Sequence, residues 1–159
     1  MGHKMRVRSA AVVLHEGKIL LNCFGEGLYY NFPGGGIEEH ETALEAVARE
    51  VYEESGLAVE VERLLFTLEY EPGHCDCFAG ENHSVSLFFA CKLIGSDEIT
   101  PPTVPDTNPD DPTITSKAAW VPVADLHQTP FVPKSIYGSL MGYIETGVFE
   151  PAFFEETGP

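Results

Sequence analysis

Between Gly35 and Leu57 the chain reads Gly35, five residues, Glu41, seven residues, then Arg49-Glu50-Val51-Tyr52-Glu53-Glu54-Ser55-Gly56-Leu57. No other segment limits the possible folds so sharply. From about Thr42 to Ser55 the apolar residues Leu44, Val47, Ala48 and Val51 recur at i, i+3, i+4 and i+7, the spacing of one helical face. Gly56 stands where a left-handed residue stops a helix. At about 100° per residue, Glu50, Glu53 and Glu54 fall in one arc while Leu44, Val47 and Val51 fall in another. Such a helix lays one face on a sheet and presents a strip of carboxylates on the other. Carboxylates at i, i+3 and i+4 repel, and these sit in the C-terminal half, where the helix dipole already disfavours negative charge. A hard divalent cation relieves that conflict. Mg²⁺ takes a few carboxylate oxygens, keeps waters, and leaves positions for phosphate.

The sheet is legible on both sides of this helix. Residues 6–14 and 19–24 are β-rich runs joined by His15-Glu16-Gly17-Lys18, a hairpin pattern. Tyr29-Tyr30-Asn31-Phe32 reads as a short aromatic strand, broken by Pro33-Gly34-Gly35-Gly36. Strand-like runs follow at 57–70 and 84–94, with a polar loop at 71–83 between them. Residues 95–116 place Pro101, Pro102, Pro105, Pro109 and Pro112 among Asp106, Asp110 and Asp111, a long connection of the kind that is functional or disordered. Residues 118–121 are a last short strand. A second helix runs from about 133 to 145, with Ile136, Leu140, Met141 and Ile144 on one side, and the tail from Glu150 carries no assignment. No repeat or linker divides the 159 residues, so one domain spanning 1–159 is expected.

The Gly35–Leu57 segment matches all nine defined positions of the Nudix box, the signature of MutT-type hydrolases. With Gly at about 7% and each charged type at about 6% of residues, chance agreement is on the order of 10⁻⁸. The resemblance extends more loosely to Tyr30–Gly34 and to Trp120-Val121-Pro122 with Asp125-Leu126. It implies an α/β fold, a mixed-sheet α/β/α sandwich with the box helix on one side and the 133–145 helix on the other. It also implies hydrolysis of a nucleoside diphosphate linked to another moiety, with Mg²⁺ or Mn²⁺ as cofactor. Glu50, Glu53 and Glu54 match the metal-binding carboxylates of the family.

The residues themselves suggest how such chemistry is assembled. Gly34, Gly35 and Gly36 let backbone approach a ligand, because no Cβ intervenes, and a carbonyl at Gly35 can join a metal shell. Arg49 lies beside the acidic strip and can hold a carboxylate bidentately. Glu41, near the helix start, can act as a further ligand or orient Arg49. The metal neutralises the diphosphate and lowers the pKa of a bound water, so no nucleophilic side chain is needed. Neither a Gly-x-Ser-x-Gly elbow nor a Gly-x-x-x-x-Gly-Lys-Ser/Thr loop occurs. The candidate general bases are Glu50 and Glu53 in the box, and Glu81, Asp106, Asp110 and Asp111 in the loops. Tyr29, Tyr30, Phe32 and Phe78 are candidates to stack on a base. Pro72, 15 residues beyond Leu57, resembles a mark of ADP-ribose pyrophosphatases; sugar-nucleotides, nucleoside triphosphates and dinucleoside polyphosphates remain open as substrates.

Charge narrows the partners. Nine Lys+Arg against 25 Asp+Glu give a formal charge of −16, which repels nucleic acid and anionic membranes alike. The expected partner is a small nucleotide, brought in by the cation. No apolar stretch approaches a membrane span, and the basic N-terminus lacks an h-region. A cytoplasmic protein is expected, with Cys23, Cys75, Cys77 and Cys91 as reduced thiols. Cys75-Asp76-Cys77, with His74 and His83 nearby, is too tightly spaced for a zinc knuckle and lacks a second pair. A monomer or a homodimer is expected, the runs at 57–70 and 84–94 offering edges. Two other functions stand beside the hydrolase. One is a catalytically silent nucleotide-sensing module, which the intact glutamates and arginine disfavour. The other is an acidic interaction surface, whose binding would weaken with salt and ignore Mg²⁺.

Overall fold

The computed structural model describes residues 4–74, 82–102, 107 and 112–156. Its spine is β1 (Arg6–His15), which changes partners along its length. Residues Arg6 to Val13 pair in parallel with β6 (Ser84–Ile94), and Arg8 to Ala10 pair on the other side with the antiparallel β4 (Gly34–Gly36). Only Leu14 and His15 pair with β2 (Lys18–Phe24). The turn between them places Glu16 at φ 46° and Gly17 at φ 74°, the two positive φ values that a tight hairpin twist requires. β2 is flanked by β3 (Tyr29–Asn31) and β7 (Ser116–Pro122), and β3 by the parallel β8 (Phe131–Val132). On the far side, β6 pairs with β5 (Ala58–Tyr70), and β5 pairs in parallel with β9 (Ala152–Glu155). The path reads β8-β3-β2-β1-β6-β5-β9.

Both faces of this mixed sheet are covered. On one, Val13, Leu20 and Phe89 pack against Val47 and Val51 of α1 (Ala43–Ser55) and against Leu57. On the other, Val12, Ile19, Leu21, Phe66 and Phe88 pack against Ile136 and against Leu140 of α2 (Tyr137–Thr146). The α/β/α sandwich expected from the sequence is the observed fold. Among the described residues, no helix is long and apolar enough to cross a membrane.

Four local expectations need correction. The Pro33–Gly36 break is not a turn but, from Gly34 onward, the strand β4, because glycines without Cβ atoms can press flat against Ser9 and Ala10 of β1. Leu44 is 52% exposed instead of buried; the face turned to the sheet carries Ala46, Val47, Val51 and Ser55. Helical side chains lean toward the N-terminus, so a first-turn residue overhangs its support. The second helix starts at Tyr137, with Lys134–Ile136 forming a 3-10 turn before it. The 84–94 run is no edge, since β6 lies between β1 and β5, and the unassigned tail supplies β9 to cover β5 along Phe66–Glu69.

Candidate active site

Both ends of α1 are pinned, which fixes the phase of its acidic strip. At the start, Thr42 Oγ1 accepts from Glu45 N at 3.3 Å and Glu45 Oε2 accepts from Thr42 N at 2.8 Å, a reciprocal capping box. Ser9 Oγ of β1 donates to Ala43 O at 2.9 Å and ties the first turn to the sheet. At the end, Gly56 takes φ 74° and donates its N–H to Tyr52 O at 2.8 Å.

The strip faces β4. Gly34 N donates to Glu54 Oε2 at 3.0 Å, and the Glu50 carboxylate lies over Gly35 so closely that a Cβ there would sit 2.6 Å from Glu50 Cδ. Arg49 organises the rest. Its Nε and Nη2 donate to the two oxygens of Glu41 at 2.7 and 2.9 Å, a bidentate fork. Nη1 donates to Glu50 Oε1 at 2.9 Å and Glu53 Oε2 at 3.1 Å, and Nη2 also reaches Gly36 O at 3.2 Å. Glu38 N donates to Glu41 Oε2 at 3.0 Å and anchors the fork from behind.

The charges respond as their surroundings dictate. Hydrogen bonds from Arg49 and the Glu38 backbone hold Glu41 down at about 2. The same Glu41 contact, ahead of Glu50, raises the Arg49 guanidinium above its ordinary value. Glu50 moves the other way: burial raises its pKa, and the Arg49 hydrogen bond offsets only part of that. Glu53 is 57% exposed, against 16% for Glu50. It is the carboxylate of the strip that opens to water.

The NUDIX domain family profile matches residues 5–138. The chain belongs to the NUDIX domain family. A MutT-like protein of Streptomyces ambofaciens is 39% identical over 92 residues, which are 58% of this chain and 54% of that protein; the chain thus matches about half the length of that relative. Solved structures share the fold. An ADP-ribose pyrophosphatase from Streptococcus suis superposes with a TM-score of 0.66 at 24% identity, over 93% of this chain and 98% of its own. A NUDIX hydrolase from Nitrosomonas europaea gives 0.66 at 20%, over 94% and 78%. A UDP-X diphosphatase gives 0.67 at 17%, over 96% and 68%.

Of the site residues singled out in the sequence, Glu41, Arg49, Glu50, Glu53, Glu54, Gly34 and Gly35 come together around β4 and α1. Phe32 does not join them. It is 4% exposed and meets Phe88 and Phe131 edge-on at 5.3 and 6.0 Å, a core ring on the α2 face. Tyr30 packs on that same face. An aromatic strand inside a two-faced core sends alternate rings away from the box helix. Tyr29 stacks on Phe24 with centroids 4.7 Å apart. Cys75, Cys77, Phe78, Glu81, Asp106, Asp110 and Asp111 lie outside the described residues. His74 and His83 are each hydrogen-bonded to a glutamate, Glu155 at 2.8 Å and Glu69 at 2.7 Å. Cys23 and Cys91 are buried free thiols, and burial pushes Cys91 up to about 12.

Two contributors to the Nudix site, Arg6 and Arg8, escaped the sequence reading, and Gly36 has a role beyond the one expected. Gly36 O accepts from Arg49, Arg8 Nη2 donates to Gly34 O at 3.3 Å, and the Arg6 guanidinium borders Gly36. The Arg6-Val-Arg8 alternation, which puts both guanidines on one face of the first strand, was the available signal. Among the described residues, ligating atoms of His15, Glu16 and Asp97 fall within 4.8 Å of one another, at the β1–β2 hairpin. The Glu50 and Glu53 carboxylates are bridged by Nη1 of Arg49, which donates to both.

Proposed function

We propose that this Nudix-family chain is a divalent-metal-dependent hydrolase that cleaves the phosphoanhydride of a nucleoside diphosphate joined to another moiety, ADP-ribose or a sugar-nucleotide in the first place. The observation that carries the proposal is the Arg49 fork. One guanidinium holds Glu41, Glu50 and Glu53 in fixed relation while Gly34 holds Glu54, so four carboxylates are oriented on a glycine strand that gives a ligand room. The donor chemistry suits Mg²⁺ or Mn²⁺: hard oxygens only, with Glu50 Oε2 and Glu53 Oε1 outside the Arg49 contacts. Glu50, Glu53, Glu54 and the Gly35 carbonyl would hold the ion. When bound, it supplies charge neutralisation for the diphosphate and a more acidic water.

The chain's own residues do the remaining work. Arg49 keeps the carboxylates from turning away, a positioning role. Glu53, 57% exposed, takes the proton from the attacking water where it does not ligate the ion, as that water's oxygen bonds to phosphorus and the anhydride P–O bond breaks, the leaving phosphate keeping the bond's electron pair. Burial raises the Glu50 pKa and the Arg49 hydrogen bond offsets part of that; a bound cation would favour its carboxylate form further. Pro72 sits in the turn after β5, and the fold is shared with an ADP-ribose pyrophosphatase; both favour ADP-ribose as the first substrate to try.

The test is product release with Mg²⁺ or Mn²⁺ from ADP-ribose, UDP- and ADP-sugars, 8-oxo-dGTP, canonical nucleoside triphosphates and diadenosine polyphosphates, with Glu54→Gln as blank. One substrate class turned over, and silenced by the variant, is the expected result. No turnover of any compound, with tight nucleotide binding, would make the protein a nucleotide-sensing module instead.

A further inference from the structure

The turn between β1 and β2 gathers a donor set of a different kind from that of the box. His15 Nε2 lies 3.5 Å from Asp97 Oδ2 and 4.0 Å from Glu16 Oε2. The ligating atoms of all three residues fall within 4.8 Å of one another. His15 and Glu16 belong to the hairpin, whereas Asp97 comes from the loop that leaves β6. Ser9 pairs with Gly35, and His15 stands six residues further along β1, about 20 Å from the glycine strand at strand spacing.

One residue orients two of the donors. The Trp120 indole lies beside the His15 ring, with centroids 5.8 Å apart, and its Nε1 donates to Asp97 O at 2.9 Å. Trp120 is itself packed against the core on the α1 face. Val123 N donates to Gly17 O at 2.9 Å and holds the turn in place. The imidazole is thus positioned by packing, while the Glu16 and Asp97 carboxylates, 78% and 59% exposed, can turn toward an ion. Donors bound at about 2.0–2.2 Å to one ion stand about 3–3.5 Å apart at octahedral or tetrahedral angles. The His15–Asp97 spacing already meets that, and Glu16 needs only a small side-chain rotation. Lys18 pairs with His15 in the hairpin register but is exposed, so its ammonium can turn to water.

We infer that His15, Glu16 and Asp97 form a second divalent-cation site, for a transition ion of the Zn²⁺ or Co²⁺ class with water completing its shell. Two carboxylates carry more charge than one imidazolium can neutralise, and a divalent cation neutralises both. An imidazole nitrogen among the donors suits Zn²⁺ or Co²⁺, whereas the oxygens of the box suit Mg²⁺. The ion fastens the hairpin to the loop after β6, in which Thr100 N donates to Ser55 O at the end of the box helix at 2.9 Å. No box residue takes part, so the site stands whether or not the chain is a hydrolase.

Trp120 is the only tryptophan of the chain, and its fluorescence reports an ion bound beside His15. Co²⁺ is titrated into the full chain in excess Mg²⁺, which competes for the box. Wild-type protein should show saturable quenching and a melting temperature that rises with Co²⁺. His15→Gln should raise the half-saturating Co²⁺ concentration at least about tenfold and remove the rise in melting temperature. Asp97→Asn makes the same prediction and serves if His15→Gln does not fold. Glu54→Gln should be quenched as wild type is, because its carboxylate belongs to the box. No saturable quenching in the wild type, quenching that survives both His15→Gln and Asp97→Asn, or quenching lost in Glu54→Gln would overturn the assignment.

Discussion

Arg49→Met keeps the length of the side chain and removes its charge and all its donors. Five contacts go: two to Glu41, one each to Glu50, Glu53 and Gly36 O. They do not count equally. Glu53 is 57% exposed, and an ion pair that open contributes little. The Glu50 contact weighs most, since that carboxylate is 16% exposed and already raised by burial. Stripping the partner from a fully buried pair costs about 3–5 kcal/mol; with Arg49 itself 23% exposed, about 2–3 kcal/mol is appropriate. For a chain of this size that lowers Tm by about 4–12 °C. The loss should shrink toward about pH 4, because without Arg49 the Glu50 pKa rises further and the carboxylate protonates instead of standing unpaired. Added Mn²⁺ should restore part of the melting temperature, although its affinity should fall about 10–100-fold for want of ligand orientation. Scanning calorimetry from pH 4 to 8, with and without metal, reads all three effects. A variant melting within about 1 °C of wild type at pH 7, and binding Mn²⁺ as well, would refute the reasoning.

Neighbouring glycines should fail differently. Gly34→Ala drives a Cβ to 2.6 Å from Ala10 Cα at φ 155°, where neither backbone can yield, so expression or melting temperature should collapse. Gly35→Ala meets only the carboxylate end of Glu50, which can turn aside by giving up its Arg49 contact; the protein should fold but bind Mn²⁺ at least tenfold more weakly, by titration calorimetry. Thr42→Ala removes the cap on α1 and should cost about 1 kcal/mol, measured by urea unfolding. The Glu41 pKa is depressed to about 2, so its stabilising effect is full above the ordinary carboxylate value and disappears as pH falls through about 2. Glu41→Gln should therefore flatten the acid-unfolding curve between about pH 5 and pH 2, and an unchanged curve would deny the fork its role.

What the sequence disclosed depended on whether the determinant was local. The box helix was legible because its stop signal at Gly56 and its apolar period are local, and the fold kept the stop and buried Val47 and Val51, though not Leu44. β4 was not, because three glycines have no strand preference of their own; they become a strand only by lying against Arg8, Ser9 and Ala10, 24 to 28 residues upstream. β9 is the same case, four residues made regular by β5. Phe32 was misplaced for another reason. In a sheet covered on both faces, alternation does not say which face holds the ligand, and the α2 side claimed the ring.

The sequence raised a conflict that the fold only partly resolves. Carboxylates crowd the C-terminal half of a helix whose dipole opposes them, and the structure answers with one guanidinium among Glu41, Glu50 and Glu53. Arg49 satisfies Glu41 fully, with two bonds to two oxygens, but gives Glu50 and Glu53 one bond each. A helix selected for stability alone would have replaced one of these glutamates, since an alanine there removes repulsion and improves helix propensity. Retaining them leaves negative charge that no side chain of the fork neutralises, pointed at a strand of glycines that yields space. On the hydrolase reading, the instability and the proposed uptake of a cation belong to the same carboxylates, so a substitution that relieves the first should abolish the second.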